Sequence, residues 1–409
     1  MSTSGNQEPP VVICGICGGI AACKAADAVS SLTKLGLDVR VIMSRAAQEF
    51  VTPLTFQALT GKPVTVDMFA APSAERKDQI YPHLYPSANA ALFVMLPATA
   101  DMIARIVRGE AEDVMAASVL GLPPGCIRVF CPAMNTTMWQ QPAVQKNVEM
   151  LESQGWIRIG PGSGMLACKA EGEGRMTEPD EIVRQIAAIL ENAKSLQGKR
   201  VLILSGPTRE QIDPVRFISN PSTGKMGKAL AEEALRRGAQ VDFITGPVDP
   251  SALPRGNNLT VQQITSANEM LAAAKSIFAK ADIILFAAAV ADYAPSAAEK
   301  TKLPKEQADL HLTLKPTPDI AAALCKGKKK EQVAVGFALQ DEDGENRARA
   351  KLENKNLDAI VLNKLDAVGA DDAAYKFFAR GLPAFEDWKL LTKRDCAKKI
   401  FDRALKKFQ

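Results

Sequence analysis

Short apolar runs alternate with amphipathic stretches along most of the chain. In the first half the runs fall at 11–14, 38–43, 91–96 and 128–131, and helical periodicity falls near 20–35, 53–59, 101–120 and 142–154. Unbroken apolar runs of this length predict strands buried on both faces, and the helical stretches between them predict parallel α/β layers. A helix predicted over 179–195 closes this series, and Gly198-Lys199-Arg200 opens a second one, with strands at 201–205, 241–245, 282–288, 333–338 and 359–362. Two doubly wound, Rossmann-like α/β domains, 1–197 and 198–409, explain the restart better than one long sheet. Ser266 with Glu269 forms a capping box, and Thr392 with Asp395 starts a final helix at 393–408. That helix is strongly basic, a pattern that predicts a solvated face.

Composition narrows the function classes. A chain of 409 residues exceeds one ordinary core, and 47% hydrophobic with 23% charged residues describes a globular protein. Fifty basic and forty-six acidic residues leave a net charge of +4, too slight to announce a nucleic-acid or membrane surface. No apolar run approaches the about eighteen residues of a membrane helix, and the opening MSTSGNQEPP carries no basic residue, so a cytoplasmic location is expected. Eight scattered cysteines do not read as a disulfide framework, and reduced thiols are expected. With only two histidines, the choice of imidazole for general-base work is narrow: His83 lies in a loop ahead of a strand, and His311 falls in a predicted strand.

Several segments carry candidate chemistry. The turn Cys14-Gly15-Ile16-Cys17-Gly18-Gly19 joins the first strand to a helix, where glycines let backbone approach a phosphate; glycine that simply turns the chain is the alternative. Cys14 and Cys17 form a CxxC without a second pair at zinc spacing. Cys131-Pro132-Ala133-Met134-Asn135 follows a strand end, where α/β folds place ligands, and Cys168 sits in a glycine-rich stretch suited to a closing loop. In the second half, the polar run from Ser205 to Gly227 lacks the Walker pattern but enters a helix with small and hydroxyl residues; it reads either as an anion site around Asn220 or as an ordinary capped helix start. Asp292 with Lys300, Lys302 and Lys305 offers a carboxylate and ammoniums suited to a nucleotide triphosphate, whereas Lys326–Lys330 reads as a solvated face.

The blocks GGIAACK, TPLTFQALTGKPV, PATADMIA, PAMNTTMW and LACKAEGEGRM resemble those of the flavin-dependent cysteine decarboxylases that act on phosphopantothenoylcysteine. The resemblance implies a flavodoxin-like flavoprotein domain that forms trimers and holds FMN between subunits. There the flavin oxidises the substrate thiol to a thioaldehyde, CO2 leaves, and the enethiol is returned to a thiol. Carried onto this chain, it makes His83 the catalytic histidine, Asn135 the carboxylate partner and Cys168 the proton donor, with FMN contacts from Gly18, Gly19, Ser44 and Thr99. The chain departs from the family pattern at Cys23 (usually Tyr), Ala116-Ala117 (usually Ser-Thr) and Lys169 (usually Gly).

The blocks GPTREQIDPVRFISNPSTGKMG, AAAVADY, KTK, KPTPDI, VGFALQDED and KNLDAIVLN resemble phosphopantothenate-cysteine ligases, which activate a carboxylate with CTP as an acyl-cytidylate. The resemblance implies Asn220 at the acyl intermediate. It implies a CTP site of Phe286, Ala287, Ala288, Asp292, Lys302, Thr317, Pro318, Asp319, Ile320, Phe337, Lys351 and Lys355, departing at Leu339-Gln340. Mg2+ is expected to be held mainly by the CTP phosphates. Fused in this order, the blocks imply a bifunctional coenzyme A biosynthesis enzyme that takes small-molecule substrates and binds neither nucleic acid nor membrane. It is expected to assemble as a homo-oligomer from N-terminal trimers and C-terminal dimers. A non-catalytic flavin-binding regulator and a two-domain NAD(P) oxidoreductase are the competing readings. Retention of His83, Asn135 and Cys168 argues against the first, and the lack of GxGxxG against the second.

Overall fold

A computed structural model of the chain describes residues 9–69, 81, 83–84, 86–165, 171–304, 310–339, 343–367 and 369–406. The chain divides into two compact units, the first ending at Glu191 and the second beginning at Asn192.

The first unit is built on strands β1 (Val11–Ile16), β2 (Asp38–Met43), β3 (Ala90–Ala98), β4 (Ile127–Pro132) and the short β5 (Ile157–Arg158), parallel and in the order β2-β1-β3-β4-β5. Their apolar runs are buried because helices cover both faces. These are α1 (Ala22–Lys34), α2 (Pro53–Thr60), α3 (Ala100–Arg108), α4 (Val114–Leu120), the one-turn α5 (Thr136–Trp139), α6 (Pro142–Ser153) and α7 (Pro179–Ala193). Trp156 anchors one face of the core, meeting Phe93 and Phe130 edge-on at 5.9 and 6.2 Å. A hairpin of β6 (Gly162–Met165) and β7 (Glu171–Arg175) stands apart from the sheet. The single helix expected over 101–120 is two: Gly109 ends α3 in the left-handed region (φ 70°), and Asp113 restarts α4 by accepting the Met115 N–H at 2.8 Å.

The second unit has an eight-stranded sheet. Strands β8 (Arg200–Ser205), β11 (Gln240–Thr245), β12 (Leu259–Gln263), β13 (Ile283–Phe286), β16 (Val333–Leu339) and β17 (Ala359–Asn363) are parallel, and β18 (Asp372–Ala379) and β19 (Glu386–Thr392) continue one edge antiparallel. Two ribbons lie outside it, β9 (Arg209–Gln211) with β10 (Phe217–Ser219) and β14 (Tyr293–Pro295) with β15 (Leu314–Pro316). Helices α8 (Lys225–Arg236) and α12 (Lys393–Leu405) pack on one face; α9 (Ala267–Phe278), α10 (Ile320–Cys325) and α11 (Gly344–Asn354) pack on the other.

The basic helix α12 is docked by its apolar face. Ile400 and Phe401 are fully buried, worth about 1.5–3 kcal/mol each. Buried Arg237 at the end of α8 adds a tether, donating to Glu233 and to Asp402 of α12, both at 2.6 Å. His311 lies exposed in the segment leading to β15, not in a strand. Among the described residues, no helix is long and apolar enough to cross a membrane.

Candidate active sites

In the first unit the chain reverses its direction across the sheet between β1 and β3, which opens a crevice at the carboxyl ends of those strands. A cavity of about 1270 Å³ lies there, lined by Gly18, Gly19, Ser44, Thr99 and Asn135 together with Met134. Three of these residues start helical turns. Ser44 Oγ accepts from Ala47 N (3.2 Å), Thr99 Oγ1 from Met102 N (3.3 Å) and Asn135 Oδ1 from Thr137 N (2.8 Å). The turn into α1 carries no side-chain cap. Four helical starts thus converge on one cavity and bring backbone N–H donors and positive dipole ends to its rim, a setting that favours an anion.

Glycine is needed here for two reasons. A Cβ at Gly18 would lie 2.4 Å from the Ala46 side chain and 2.7 Å from its backbone, so the loop could not pass beneath the turn that Ser44 opens. A Cβ at Gly19 would meet only Thr99, at 4.0 Å, and would stand in the open cavity. A wide crevice with a bare backbone floor and donor-rich rim fits a flat, phosphate-bearing cofactor such as FMN. Lys24, Arg45, Arg105 and Arg175 line it together with the acidic Glu49, Asp101, Glu112 and Asp113. Arg105 pairs with Asp101 at 2.9 Å, and Glu178 pairs with Lys24 at 3.0 Å and Arg175 at 2.5 Å, so the anion preference rests on the helical starts rather than on a charge excess.

The cysteines sort by environment. Cys14 and Cys17 are buried, and burial pushes both thiols up to about 12, so they stay protonated and do not act as a thiolate pair. Cys126, Cys131, Cys325 and Cys396 are buried free thiols as well, whereas Cys23 is exposed.

His83 is not brought to this cavity by its own chain. It sits half-buried in a turn, its Nδ1 3.2 Å from the Met68 carbonyl, and the adjacent Leu84 rests beside Gly121 at the end of α4. Cys168 and Lys169 lie outside the described residues. The strand that follows them is placed: Met134 N donates to Gly174 O at 2.9 Å, and a Cβ at Gly172 would lie 2.7 Å from Thr136 Oγ1. The glycines of β7 therefore let it rest directly on the turn that presents Asn135. Ala116 is buried and Ala117 half-buried in α4.

In the second unit most of the expected nucleotide residues gather at the carboxyl ends of β13 and β16. Lys351 Nζ donates to the Phe337 carbonyl at 2.6 Å, and Lys355 Nζ pairs with Asp319 at 2.8 Å. Asp319 also caps α10 through Ala322 N (3.1 Å), and Thr317 binds the backbone carbonyls of Ala291 (2.5 Å) and Asp292 (2.9 Å). Asn220 donates to the Val290 carbonyl at 2.8 Å, which holds it against the loop that carries Asp292. Phe286, Ala287 and Ala288 run out of β13 half-buried, and Pro318 precedes Asp319. Ile320 is buried in the core, so its backbone alone is left for a ligand. Burial, with Lys355 adding like-charge repulsion, pushes the Lys351 ammonium down to about 8. Among the described residues no cluster of three His, Cys, Asp or Glu could hold a metal ion.

The start of α8 is not the ordinary side-chain-capped entry. Its N-cap is Gly224 in the left-handed region (φ 75°), with no side-chain cap, and Lys225 is committed to Asp371 at 2.6 Å and the Gly369 carbonyl at 3.2 Å. Sequence reasoning passed over buried Asp213, whose Oδ2 accepts two N–H groups of the half-exposed Arg216 guanidinium and the Leu303 N–H. The Asp-Pro turn signal was visible, but its partner lies ninety residues away.

A 2-1-3-4-5 sheet with a donor-lined crevice at its switch point defines the first unit as flavodoxin-like, and the second unit is a doubly wound domain with two lysines, Lys351 and Lys355, anchored beside the end of β16. Comparison with known proteins narrows this class. A family model described as Flavoprotein matches residues 1–191, and one described as DNA/pantothenate metabolism flavoprotein C-terminal domain matches residues 196–408. The chain is 42% identical to the coenzyme A biosynthesis bifunctional protein CoaBC of Bacillus subtilis (strain 168), over 88% of this chain and 87% of that protein. It is 36% identical to its namesake in Haemophilus influenzae, over 97% and 98%. The crystal structure of a CoaBC C-terminal domain, 36% identical, covers 52% of this chain and 96% of that one with a TM-score of 0.44. The chain belongs to the family of bifunctional coenzyme A biosynthesis flavoproteins.

Proposed function

We propose that the chain converts 4'-phosphopantothenate and cysteine into 4'-phosphopantetheine in two reactions, ligation by the second unit and decarboxylation by the first. The observation that carries this reading is the presence, in one chain of this family, of a donor-rimmed crevice holding Asn135 and, in the second unit, of Lys351 held on the Phe337 carbonyl, Lys355 on Asp319 and Asn220 on the Val290 carbonyl beside Asp292.

In the second unit Asp319 and the Phe337 carbonyl hold the two ammoniums in place, and with Lys302 they neutralise the triphosphate of CTP. Mg2+, held mainly by the CTP phosphates, would supply charge stabilisation to the leaving pyrophosphate. The substrate carboxylate attacks the α-phosphorus, pyrophosphate leaves, and Asn220 holds the acyl-cytidylate through its side-chain amide. The cysteine amine then displaces CMP and loses its proton as the amide forms.

In the first unit Gly18, Gly19, Ser44 and Thr99 would hold FMN, which would supply reversible two-electron oxidation at the substrate carbon that bears the thiol. Asn135 donates to the substrate carboxylate; a neutral donor orients it without the ground-state anchoring of a full positive charge, so CO2 can leave. Cys168 returns a proton to the product. His83 reaches the reacting carbons from a neighbouring copy in a trimer, in keeping with its position away from its own chain's cavity. Dimers of the second unit complete a cytoplasmic homo-oligomer.

The test is to incubate the purified protein with 4'-phosphopantothenate, cysteine and CTP while following pyrophosphate, CO2 and 4'-phosphopantetheine. A yellow protein that makes all three products is expected. A colourless protein that releases no pyrophosphate from CTP would overturn the reading.

A further inference from the structure

The loop between β9 and β10 is closed around one carboxylate. Asp213, 1% exposed, accepts the N–H groups of Val215 and Arg216 through Oδ1, both at 2.8 Å. Its Oδ2 accepts from Arg216 Nε at 2.9 Å, from Arg216 Nη2 at 2.5 Å and from the Leu303 N–H at 3.1 Å. Arg216 Nη2 also donates to the Leu303 carbonyl at 2.8 Å, and Glu299 N donates to the Ile212 carbonyl at 2.9 Å. The segment 299–303 is therefore tied to this loop at both ends, and Lys300 and Lys302 stand exposed between the ties.

A buried carboxylate costs folding energy unless it is fully paired, and five donors meet this one. Two of the bonds serve the turn itself, and two bind the arginine of the same turn. The fifth, to Leu303, reaches a segment that belongs to no strand or helix and has no apolar core of its own. The β9–β10 ribbon runs from this point straight to Ser219 and Asn220, so one carboxylate fixes the lysine segment relative to the amide at the reacting carbonyl.

We propose that Asp213 is a positioning residue of the ligase reaction, holding Lys302 where it meets the nucleotide phosphates through the Leu303 backbone and Arg216. The proposal rests on the CTP-dependent ligation reading given above. In Asp213→Asn the amide must turn its N–H donors either toward Leu303 N–H and the guanidinium, which share Oδ2, or toward the Val215 and Arg216 N–H groups, which share Oδ1. Either way donors face donors and the charge that draws the guanidinium is lost, so the tie loosens while the size is kept.

The experiment uses the full-length protein, wild type, Asp213→Asn, Lys302→Ala and the double variant. It measures KM for CTP and kcat of pyrophosphate release, and by mass spectrometry the hydrogen exchange of peptides spanning 299–304. Expected are a KM for CTP raised about tenfold in Asp213→Asn with kcat within about twofold, and a double variant no worse than Lys302→Ala alone. Faster exchange over 299–304 is expected in Asp213→Asn. Unchanged exchange, additive losses in the double variant, or a fall in kcat with KM unchanged would each overturn the proposal, the last marking a merely structural role. A variant that fails to fold is replaced by Asp213→Glu, which keeps the charge but displaces it, and the same exchange and KM criteria apply. If wild type releases no pyrophosphate from CTP, the ligation reading fails and the positioning role with it, while the exchange data separately report whether Asp213 holds the segment.

Discussion

An ammonium taken out of water loses hydration that a single carbonyl does not replace, and Lys351 is in that position. Its pKa is pushed down to about 8 from 10.5 by burial and by Lys355, while Asp319 and Asp292 oppose the shift. Two pH dependences of opposite sign follow. The unfolded chain binds the proton more tightly than the folded one, so the free protein gains stability as pH rises from about 8 towards 10.5. The protonated form is the one that attracts phosphate, so affinity for CTP should fall by up to about tenfold between pH 7 and pH 9. Titrating CTP at the two pH values, with melting of the free protein alongside, checks both. In Lys351→Met the pH dependence of binding should flatten at a weak level; a wild-type affinity that does not change across the window contradicts the assignment.

The helices around the first cavity tie stability to ligand binding. Thr99 caps α3 and lines the crevice, so Thr99→Ala should cost about 1 kcal/mol of stability in urea unfolding and also lower the FMN retained on purification. A variant that loses stability but keeps its full flavin content would separate the cap from the site. At this scale the sequence was most legible where apolar runs were unbroken, as in β1, β3, β8 and β16, whose side chains are buried on both faces. It was least legible in β18 and β19. There Asp372-Ala373-Ala374-Tyr375-Lys376-Phe377 alternates buried and exposed positions, the mark of an antiparallel edge with one wet face. The break between α3 and α4 was overlooked because apolar periodicity continues across it, while Gly109 and Asp113 set the boundary locally. The site shows the same division. Residues at strand ends, such as Asn135 and Asp292, could be read from motifs, whereas Asp213 acts only through Leu303, which no local pattern connects to it.

For the whole molecule, two candidate sites, each in a compact unit of its own, predict separable reactions. Asn220→Ala should lower formation of the amide product from 4'-phosphopantothenate, cysteine and CTP by about a hundredfold or more, yet leave the protein yellow and able to release CO2 from supplied phosphopantothenoylcysteine. Asn135→Ala should do the reverse. Loss of both activities in either variant would mean that the units work only as one machine. The slight net charge of +4 accords with this division, because the lysines that matter are placed one by one rather than spread over a face. The cysteines described above add a practical consequence. Six described thiols are buried and Cys23 is exposed, so an alkylating reagent applied to the native protein has one open target among the described residues. A second adduct could then come only from Cys168; on the proposal that Cys168 serves the first reaction, added substrate should suppress that adduct, a readout of binding that needs no assay of turnover.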